Sequence, residues 1–226
     1  MRITKFDNEK QFIEDSANFV LTEIIAQKNK DVFIGLSGGS TPEDIYRNLG
    51  SLPVNLSNVL FYLVDERCVP LDSPFSNFQM IKDTLTSKVK DKIKGFFYFD
   101  TSLPKAETIK KYEVELHMIP HKSFDLTILG IGEDGHFASI FPNTLANFDD
   151  GEIVCETTTE KFSVRERLSL SPRLILRSKK ILVLLKGEKK KHILDKMTSN
   201  DETIKKEDFP AIMLKHHPNL TIHYLS

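Results

Sequence analysis

The stretch FIGLSGGSTPEDIY contains the spacing G-x-S-x-G, in which Ser37 is the central serine. This spacing surrounds the nucleophile of many serine hydrolases, and Ser37 precedes Asp65, Asp125 and His136 in the order serine, acid, histidine. The topology opposes this interpretation, because such a serine needs earlier strands and an oxyanion donor from a loop after one of them. At most two strand candidates precede Ser37, so a nucleophilic Ser37 is disfavoured.

The same turn fits a phosphate site. Its residues are small or carry a hydroxyl group: Ser37, Gly38, Gly39, Ser40 and Thr41. Pro42 fits the first position of a helix, where its missing N–H is no loss. Glycines let the backbone approach a ligand, and free N–H groups at a helix start attract anions. The alternative is an ordinary strand-to-helix turn capped by Thr41. A nucleotide-binding P-loop is excluded, since no G-K-[ST] follows.

A second group of polar residues follows another apolar run. LVDERCVP places Asp65, Glu66 and Arg67 directly after a strand candidate. In open α/β sheets, ligands bind at the carboxyl ends of strands, so these side chains could bind sugar hydroxyls or orient a catalytic group. A solvated ion pair in a loop is an equal alternative. Further on, Ser76 or Asn77 is expected to cap a helix.

A third stretch, LGIGEDGHFASIFP, places His136 on a glycine-rich loop after a strand candidate. A neutral imidazole can take a proton from water near pH 7, and a nearby carboxylate such as Asp134 can fix its tautomer. The glycines permit the turn that aims the ring. The alternative is a surface histidine on a glycine-rich turn.

Basic residues near the late strand candidates complete the set. Arg167 could form bidentate contacts with a phosphate, and Lys190 could supply a point charge. Lysines such as Lys190 more often belong to a solvated helix face. The histidines and the two cysteines lack metal-ligand spacing, so no metal site is expected.

Elements of two kinds must position these residues. Short apolar runs predict strands at 32–36, 59–64, 96–99, 126–129 and 181–185, and helical periodicity predicts helices at 8–27, 42–49, 77–85, 105–118, 172–177 and 189–197. This alternation predicts an α/β fold with a mostly parallel sheet and helices on both faces. Alternating patterns at 152–158 and 167–171 predict a small additional strand layer. Residues 1–226 are expected to form a single domain.

Composition excludes several classes of partner. Thirty-one basic and thirty-two acidic residues give a net charge of -1, which provides no overall attraction to nucleic acid or an anionic membrane. The apolar runs are too short to span a bilayer, and the N-terminus lacks the apolar core of a signal peptide. Two cysteines in a chain of this length fit a reducing compartment, so a cytoplasmic protein is expected, as a monomer or small homo-oligomer.

Together, the motifs SGGSTP, VDERCVP with SN shortly after, LGIGEDGHFASIFP, RLSLS and KGEKK resemble, in this order, those of 6-phosphogluconolactonases. The resemblance covers residues 36–190 and extends weakly to FPAIML. It implies a Rossmann-like, sugar-phosphate-isomerase-like fold. It also implies an enzyme that hydrolyses 6-phosphoglucono-1,5-lactone to 6-phosphogluconate in the oxidative pentose phosphate pathway, without a cofactor.

The resemblance also implies roles for the residues. The SGGST turn would hold the phosphate with Arg167 and Lys190, and His136 would be the general base that activates water. Asp134 would shape the loop, and the DER element at 65–67 would line the pocket. The segment before RLSLS lacks the family's proline-rich approach, which leaves Arg165 and Arg167 as alternative phosphate contacts.

Two other functions remain as alternatives. Glucosamine-6-phosphate deaminases of the same fold have a similar loop, with an acid where this chain has Phe141, and tend to D-E-Y where this chain has Arg67. Both positions favour the lactonase. A non-enzymatic sugar-phosphate-binding protein is the third hypothesis.

Overall fold

A computed structural model describes residues 1–27, 30–89, 92–144, 151 and 153–226. The described residues contain ten strands: β1 (Arg2–Phe6), β2 (Val32–Leu36), β3 (Leu56–Leu63), β4 (Asp65–Arg67), β5 (Ile93–Phe97), β6 (Leu126–Gly130), β7 (Val154–Thr158), β8 (Glu166–Leu170), β9 (Ile181–Lys186) and β10 (Leu220–Leu225). The α-helices are α1 (Glu9–Ala26), α2 (Ser40–Ser51), α3 (Asn77–Ile81), α4 (Ser87–Val89), α5 (Lys105–Leu116), α6 (Pro172–Leu176) and α7 (Lys191–Thr198). Short 3-10 segments lie at Pro120–Lys122, Glu188–Lys190 and Pro210–His216.

Seven strands form one sheet in the order β1-β10-β9-β6-β2-β3-β5, and every neighbouring pair is parallel. All five residues of β2 are buried, as are the first five of β9, because both faces of the sheet are covered. The predicted parallel α/β sheet is therefore confirmed.

The order of the strands places a crevice between β2 and β6. The chain leaves β2 for β3 on one side of it, whereas β6 pairs on its other side after a long excursion. Ligands of open α/β sheets bind where the order reverses in this way, at the carboxyl ends of the strands. The SGGST turn follows β2 and the glycine-rich loop follows β6, so the fold brings the two motifs to this crevice.

The predicted additional layer is a second sheet of three antiparallel strands in the order β4-β8-β7. Its strands β7 and β8 match the alternating patterns, although position 152 of the first pattern lies outside the described residues. The strand β4 was not predicted. It follows β3 after a single residue, Val64, and carries the DER element onto the small sheet.

Other elements differ from the predictions. The strands β1 and β10 were missed; β1 has a polar, partly exposed sequence, and its pairing with β10 depends on residues more than 200 positions away. The helix predicted at 77–85 is α3, which continues as a π-helical turn at Lys82–Thr86. Among the described residues, no helix is long and apolar enough to cross a membrane.

We predict that Ile34→Ala lowers the free energy of unfolding by about 2–5 kcal/mol, because the fully buried side chain in β2 leaves a cavity at the centre of the sheet. Ile25→Ala is the matched control, since the Ile25 side chain on α1 is 50% exposed, and it should change stability by less than about 0.5 kcal/mol. Urea unfolding followed by circular dichroism measures both. Equal losses would contradict the packing described for β2.

Candidate active site

A cavity of about 930 Å³ opens at the carboxyl ends of β2 and β6. Its lining includes the SGGST turn, the loop with Asp134 and His136, and the cationic side chains of Arg67, Arg167 and Lys190. Asp65 lines it as well. The structure therefore brings every predicted site residue to one cavity, with the exception of Glu66.

The SGGST turn leads directly into helix α2. The helix begins at Ser40, two residues before the predicted start, and its N-cap is Gly39, which has a φ of 106° that favours glycine. The alternative that Thr41 caps the helix is therefore wrong, because Thr41 lies inside the first turn. No side chain caps α2, so its first N–H groups remain available to an anion in the cavity.

The Ser37 hydroxyl joins two strands. Its Oγ accepts a hydrogen bond of 3.2 Å from the N–H of Gly130 at the end of β6, and its own N–H donates to the carbonyl of Ile128. Its carbonyl accepts from the buried Tyr46 hydroxyl. Among the described residues, no histidine or carboxylate forms a hydrogen bond with Ser37 Oγ. The serine that resembles a nucleophile thus has the contacts of a structural anchor.

The predicted role of Glu66 as a pocket residue is wrong. Side chains of a strand alternate in direction, so Asp65 and Arg67 of β4 face the cavity while Glu66 faces away from it. The fully buried Glu66 carboxylate accepts hydrogen bonds from the N–H groups of Arg67, Asn77 and Phe78 and from the Ser76 hydroxyl. Glu66 therefore joins β4 to the first turn of α3.

Two opposed effects act on the Glu66 carboxyl group. Burial raises its pKa to about 6, while the four donors around it favour the ionised form and limit that increase. The N-terminus of α3 adds a favourable environment for a negative charge. The carboxylate thus stabilises the DER strand and the helix start from behind the cavity.

Arg67 and Arg167 stand side by side, because they are register partners of the antiparallel pair β4 and β8. Arg67 Nη1 donates to the carbonyl of Phe75, and Arg167 Nε donates to that of Val164. Burial, together with the adjacent charge of Arg67, lowers the pKa of Arg167. Neither guanidinium has a carboxylate within salt-bridge distance in the part of the chain that is described, so an anionic ligand would relieve their mutual repulsion.

The structure also distinguishes Arg165 from Arg167. Arg167 lies within β8, is 7% exposed and lines the cavity. Arg165 precedes the strand, and its exposed guanidinium forms an ion pair with Glu160. Of Arg165 and Arg167, only Arg167 is therefore placed to contact a ligand in the cavity.

His136 is oriented by Asp134. The imidazole Nδ1 lies 2.6 Å from Asp134 Oδ1, which also accepts the His136 N–H. Burial alone would raise the pKa of Asp134, but its hydrogen bonds to His136 and to Lys161 keep that pKa below its usual range. The ionised carboxylate can only accept, so Nδ1 carries the hydrogen and Nε2 keeps a lone pair for a proton.

Gly132 leaves the space that the imidazole occupies. A Cβ atom at this position would lie 2.0 Å from His136 Nδ1. A side chain at Gly132 is therefore incompatible with the observed bond between His136 and Asp134.

Lys190 approaches the same loop from the 3-10 segment at Glu188–Lys190. Its Nζ donates to the carbonyl of Ile131 at 2.6 Å, and burial lowers the pKa of its ammonium group. The neighbouring lysines Lys189 and Lys191 are not among the lining residues. Of this basic run, Lys190 is the member that the fold turns toward the cavity.

Several lining residues were missed by sequence reasoning. Asn77, expected at most as a helix cap, donates through Nδ2 to the carbonyl of Asp65, while Ser76 is the actual cap. Ser139 donates to Asp65 Oδ2 at 2.7 Å. Lys161 and Phe162 reach the cavity from the β7–β8 connection. Ser139 lies within the LGIGEDGHFASIFP motif and Asn77 within the SN that follows VDERCVP, so both could have been found there, whereas no motif marks Lys161 and Phe162.

The described residues contain no group of three or more His, Cys, Asp or Glu side chains that could hold a metal ion. The cavity wall carries one oriented imidazole, four cationic side chains, the carboxylates of Asp65, Glu133 and Asp134, and a helix N-terminus. This set suits proton transfer next to a bound anion.

Comparisons with known proteins agree with this arrangement. The family model described as glucosamine-6-phosphate isomerases/6-phosphogluconolactonase matches residues 7–222. A probable 6-phosphogluconolactonase of Dictyostelium discoideum is 34% identical over 226 residues, covering 96% of this chain and 94% of the relative. The 6-phosphogluconolactonase of Thermotoga maritima is 34% identical over 209 residues, with 92% and 90% covered.

Solved structures give the same result for the fold. The crystal structure of the Thermotoga maritima 6-phosphogluconolactonase superposes with a TM-score of 0.84 at 29% identity, covering 99% of this chain and 98% of that one. A monomeric glucosamine-6-phosphate deaminase superposes with a TM-score of 0.82 at 23% identity, covering 99% and 97%. The second likeness concerns the fold alone.

We predict that Gly132→Ala reduces kcat/KM about 100-fold or more, because the added methyl group displaces the imidazole from Asp134. Gly151→Ala is the matched control, since a Cβ atom there meets no atom of the described residues within 4 Å and Gly151 does not line the cavity. It should stay within about 3-fold of the unmodified chain, because the imidazole keeps its position. Rates come from a lactone hydrolysis assay, and folding is checked by thermal unfolding. Similar losses in both variants would contradict the steric role of Gly132.

Proposed function

The chain belongs to the glucosamine-6-phosphate isomerase/6-phosphogluconolactonase family, and we propose that His136 is its general base in a cavity that holds the substrate by its phosphate. The chain is an enzyme that hydrolyses 6-phosphoglucono-1,5-lactone to 6-phosphogluconate, a reaction of the pentose phosphate pathway. The observation that carries the assignment of the base is the bond from His136 Nδ1 to Asp134, which leaves Nε2 free to accept a proton.

The reaction begins when Nε2 of His136 takes a proton from a water molecule, whose oxygen attacks C1 of the lactone. A tetrahedral intermediate forms with its negative charge on the former carbonyl oxygen. The bond between C1 and the ring oxygen then breaks, and the ring oxygen takes the proton from the imidazolium. Water has been added across the ester bond, and His136 is neutral again. Asp134 keeps the ring oriented and stabilises the imidazolium form.

The phosphate is bound at the other side of the cavity. The uncapped N-terminus of α2 supplies N–H groups, and Arg167 and Lys190 supply positive charge. Ser37 belongs to this turn as an anchor rather than a nucleophile. Asp65, fixed by the Ser139 hydroxyl, is placed to accept a hydrogen bond from a sugar hydroxyl.

The arrangement around His136 favours the lactonase over the deaminase. Phe141, at the position where the deaminases have an acid, is 4% exposed, and its ring lies 4.8 Å from the imidazole. An apolar ring at this position cannot transfer protons. The similarity of fold to the deaminase does not bear on this point, since one fold hosts several activities.

We also propose that residues 1–226 work as a single cytoplasmic domain. The buried apolar residues form one continuous cluster, and two cysteines in a chain of this length fit a reducing compartment.

His136→Ala is expected to reduce kcat for hydrolysis of 6-phosphoglucono-1,5-lactone by about 100-fold to 10,000-fold, because it removes the general base. His117→Ala is the matched control, since His117 lies at the end of α5, where its Nδ1 contacts the carbonyl of Glu113. The assay follows 6-phosphogluconate formation in freshly prepared lactone, with spontaneous hydrolysis subtracted. Unchanged turnover in folded His136→Ala would refute the assigned base, and ammonia release from glucosamine 6-phosphate would favour the deaminase.

Arg167→Met is expected to reduce kcat/KM about 10-fold to 100-fold, because a charge-assisted hydrogen bond to the phosphate is lost. Arg165→Met removes the same charge two residues away and should have no measurable effect, since its partner is the exposed Glu160. Inorganic phosphate should inhibit the unmodified chain more strongly than Arg167→Met. Equal kinetics of the two variants would show that Arg167 does not contact the substrate.

A further inference from the structure

The connection between β7 and β8, residues 159–165, contributes two side chains to the cavity, Lys161 and Phe162. We call it the β7–β8 hairpin. The Thr159 N–H donates to the carbonyl of Arg165, and the Lys161 N–H donates to Thr159 Oγ1. These bonds give the hairpin a defined conformation in which Lys161 and Phe162 are turned toward the glycine-rich loop.

Phe162 holds the hairpin against the candidate catalytic groups. Its ring meets the His136 ring edge-on, with 5.7 Å between centroids, and lies 6.1 Å from the ring of Phe141. The guanidinium carbon of Arg167 lies 5.7 Å from the centre of the Phe162 ring. A side chain that is 42% exposed thus contacts both the proposed base and the proposed phosphate ligand.

Lys161 contacts the carboxylate that orients the base. Its Nζ donates to Asp134 Oδ2 at 3.0 Å, while Oδ1 receives both hydrogen bonds from His136. Each carboxylate oxygen therefore has its own partner. Rotation of the carboxylate would break the bond of Oδ1 to His136 and the bond of Oδ2 to Lys161. Asp134 is largely enclosed, whereas the Lys161 side chain is 60% exposed. The Lys161 ammonium group therefore contacts the carboxylate from the solvent side.

The charges of Asp134 and Lys161 also act on His136. The Asp134 carboxylate stabilises the protonated form of His136, which cannot act as a base. The ammonium group of Lys161 offsets part of this negative charge. The charged side chains that share the cavity with His136 are Asp65, Arg67, Glu133, Asp134, Lys161, Arg167 and Lys190. Of these, Lys161 is the one that forms an ion pair with the orienting carboxylate.

We propose that Lys161 is a positioning residue: it fixes the Asp134 carboxylate that orients His136 and offsets part of the negative charge beside that imidazole. The proposal rests on the proposed function, since it takes His136 as the general base. Lys161 acts through Asp134 and does not contact the reacting atoms.

The test compares Lys161→Gln, Lys161→Arg and Arg165→Gln with the unmodified chain, using pH profiles of kcat and kcat/KM from about pH 5 to about pH 8. Arg165→Gln is the matched control, because it removes a cation from the same hairpin that pairs with Glu160 instead of Asp134. The phosphate of the substrate also titrates near pH 6, but it is common to all variants and cancels in the comparison.

Lys161→Gln is expected to move the acidic limb of the kcat profile upward by about half a pH unit, because the exposed cation is partly screened. At about pH 8 its kcat should still fall about 3-fold or more, because Asp134 Oδ2 loses the partner that fixes the carboxylate. Lys161→Arg and Arg165→Gln should leave the limb in place. High ionic strength should move the limb of the unmodified chain more than that of Lys161→Gln.

The outcomes separate this proposal from the function on which it rests. If the profiles of Lys161→Gln and the unmodified chain coincide while His136→Ala is inactive, the role of Lys161 is refuted and the base stands. If folded His136→Ala keeps its activity, the base itself is refuted. A higher KM for Lys161→Gln at every pH, with the limb unmoved, would make Lys161 a substrate contact and would also overturn the proposal.

Discussion

The site depends on the hydrogen bond between the Gly130 N–H and the Ser37 hydroxyl. It connects the end of β6 to the end of β2, the two strands that meet where the strand order reverses. The SGGST turn continues from one strand and the glycine-rich loop from the other. Because this bond and the parallel pairing of β2 with β6 fix the distance between the strand ends, the SGGST turn and the imidazole of His136 line one cavity.

The second constraint is electrostatic. Arg67 and Arg167 are held next to each other by strand register, without a carboxylate within salt-bridge distance in the described part of the chain. The N-terminus of α2 adds a further region of positive potential. A chain with a net charge of -1 thus places two adjacent guanidinium groups and a helix N-terminus at one cavity. Local geometry, rather than overall charge, favours an anionic substrate.

The small antiparallel sheet contributes side chains to the cavity. The parallel sheet alone supplies the two loops, whereas β4 and β8 supply the paired arginines, and the β7–β8 hairpin covers His136. The deaminase that shares the fold shows that the framework does not determine the reaction. The side chains around His136 differ from the pattern of the deaminases, since Phe141 places an apolar ring beside the imidazole.

The sequence by itself predicted the parallel sheet, the small strand layer and the motifs that reach the cavity. These features follow from local patterns, since apolar runs, periodicity and turn residues act within a few positions of the chain. The resemblance to a family implied that Asp134 shapes the loop and that Lys190 helps to hold the phosphate; both roles stay predictions, and the structure places both side chains in contact with the glycine-rich loop.

Tertiary structure alone decided which neighbouring side chains share the cavity. Glu66 turns away because β4 is a strand, and Arg167 rather than Arg165 faces inward because β8 begins between them. Lys161 reaches the cavity from the β7–β8 hairpin, which carries no motif. Each of these outcomes depends on strand register or packing between distant segments, and a linear pattern holds no information on either.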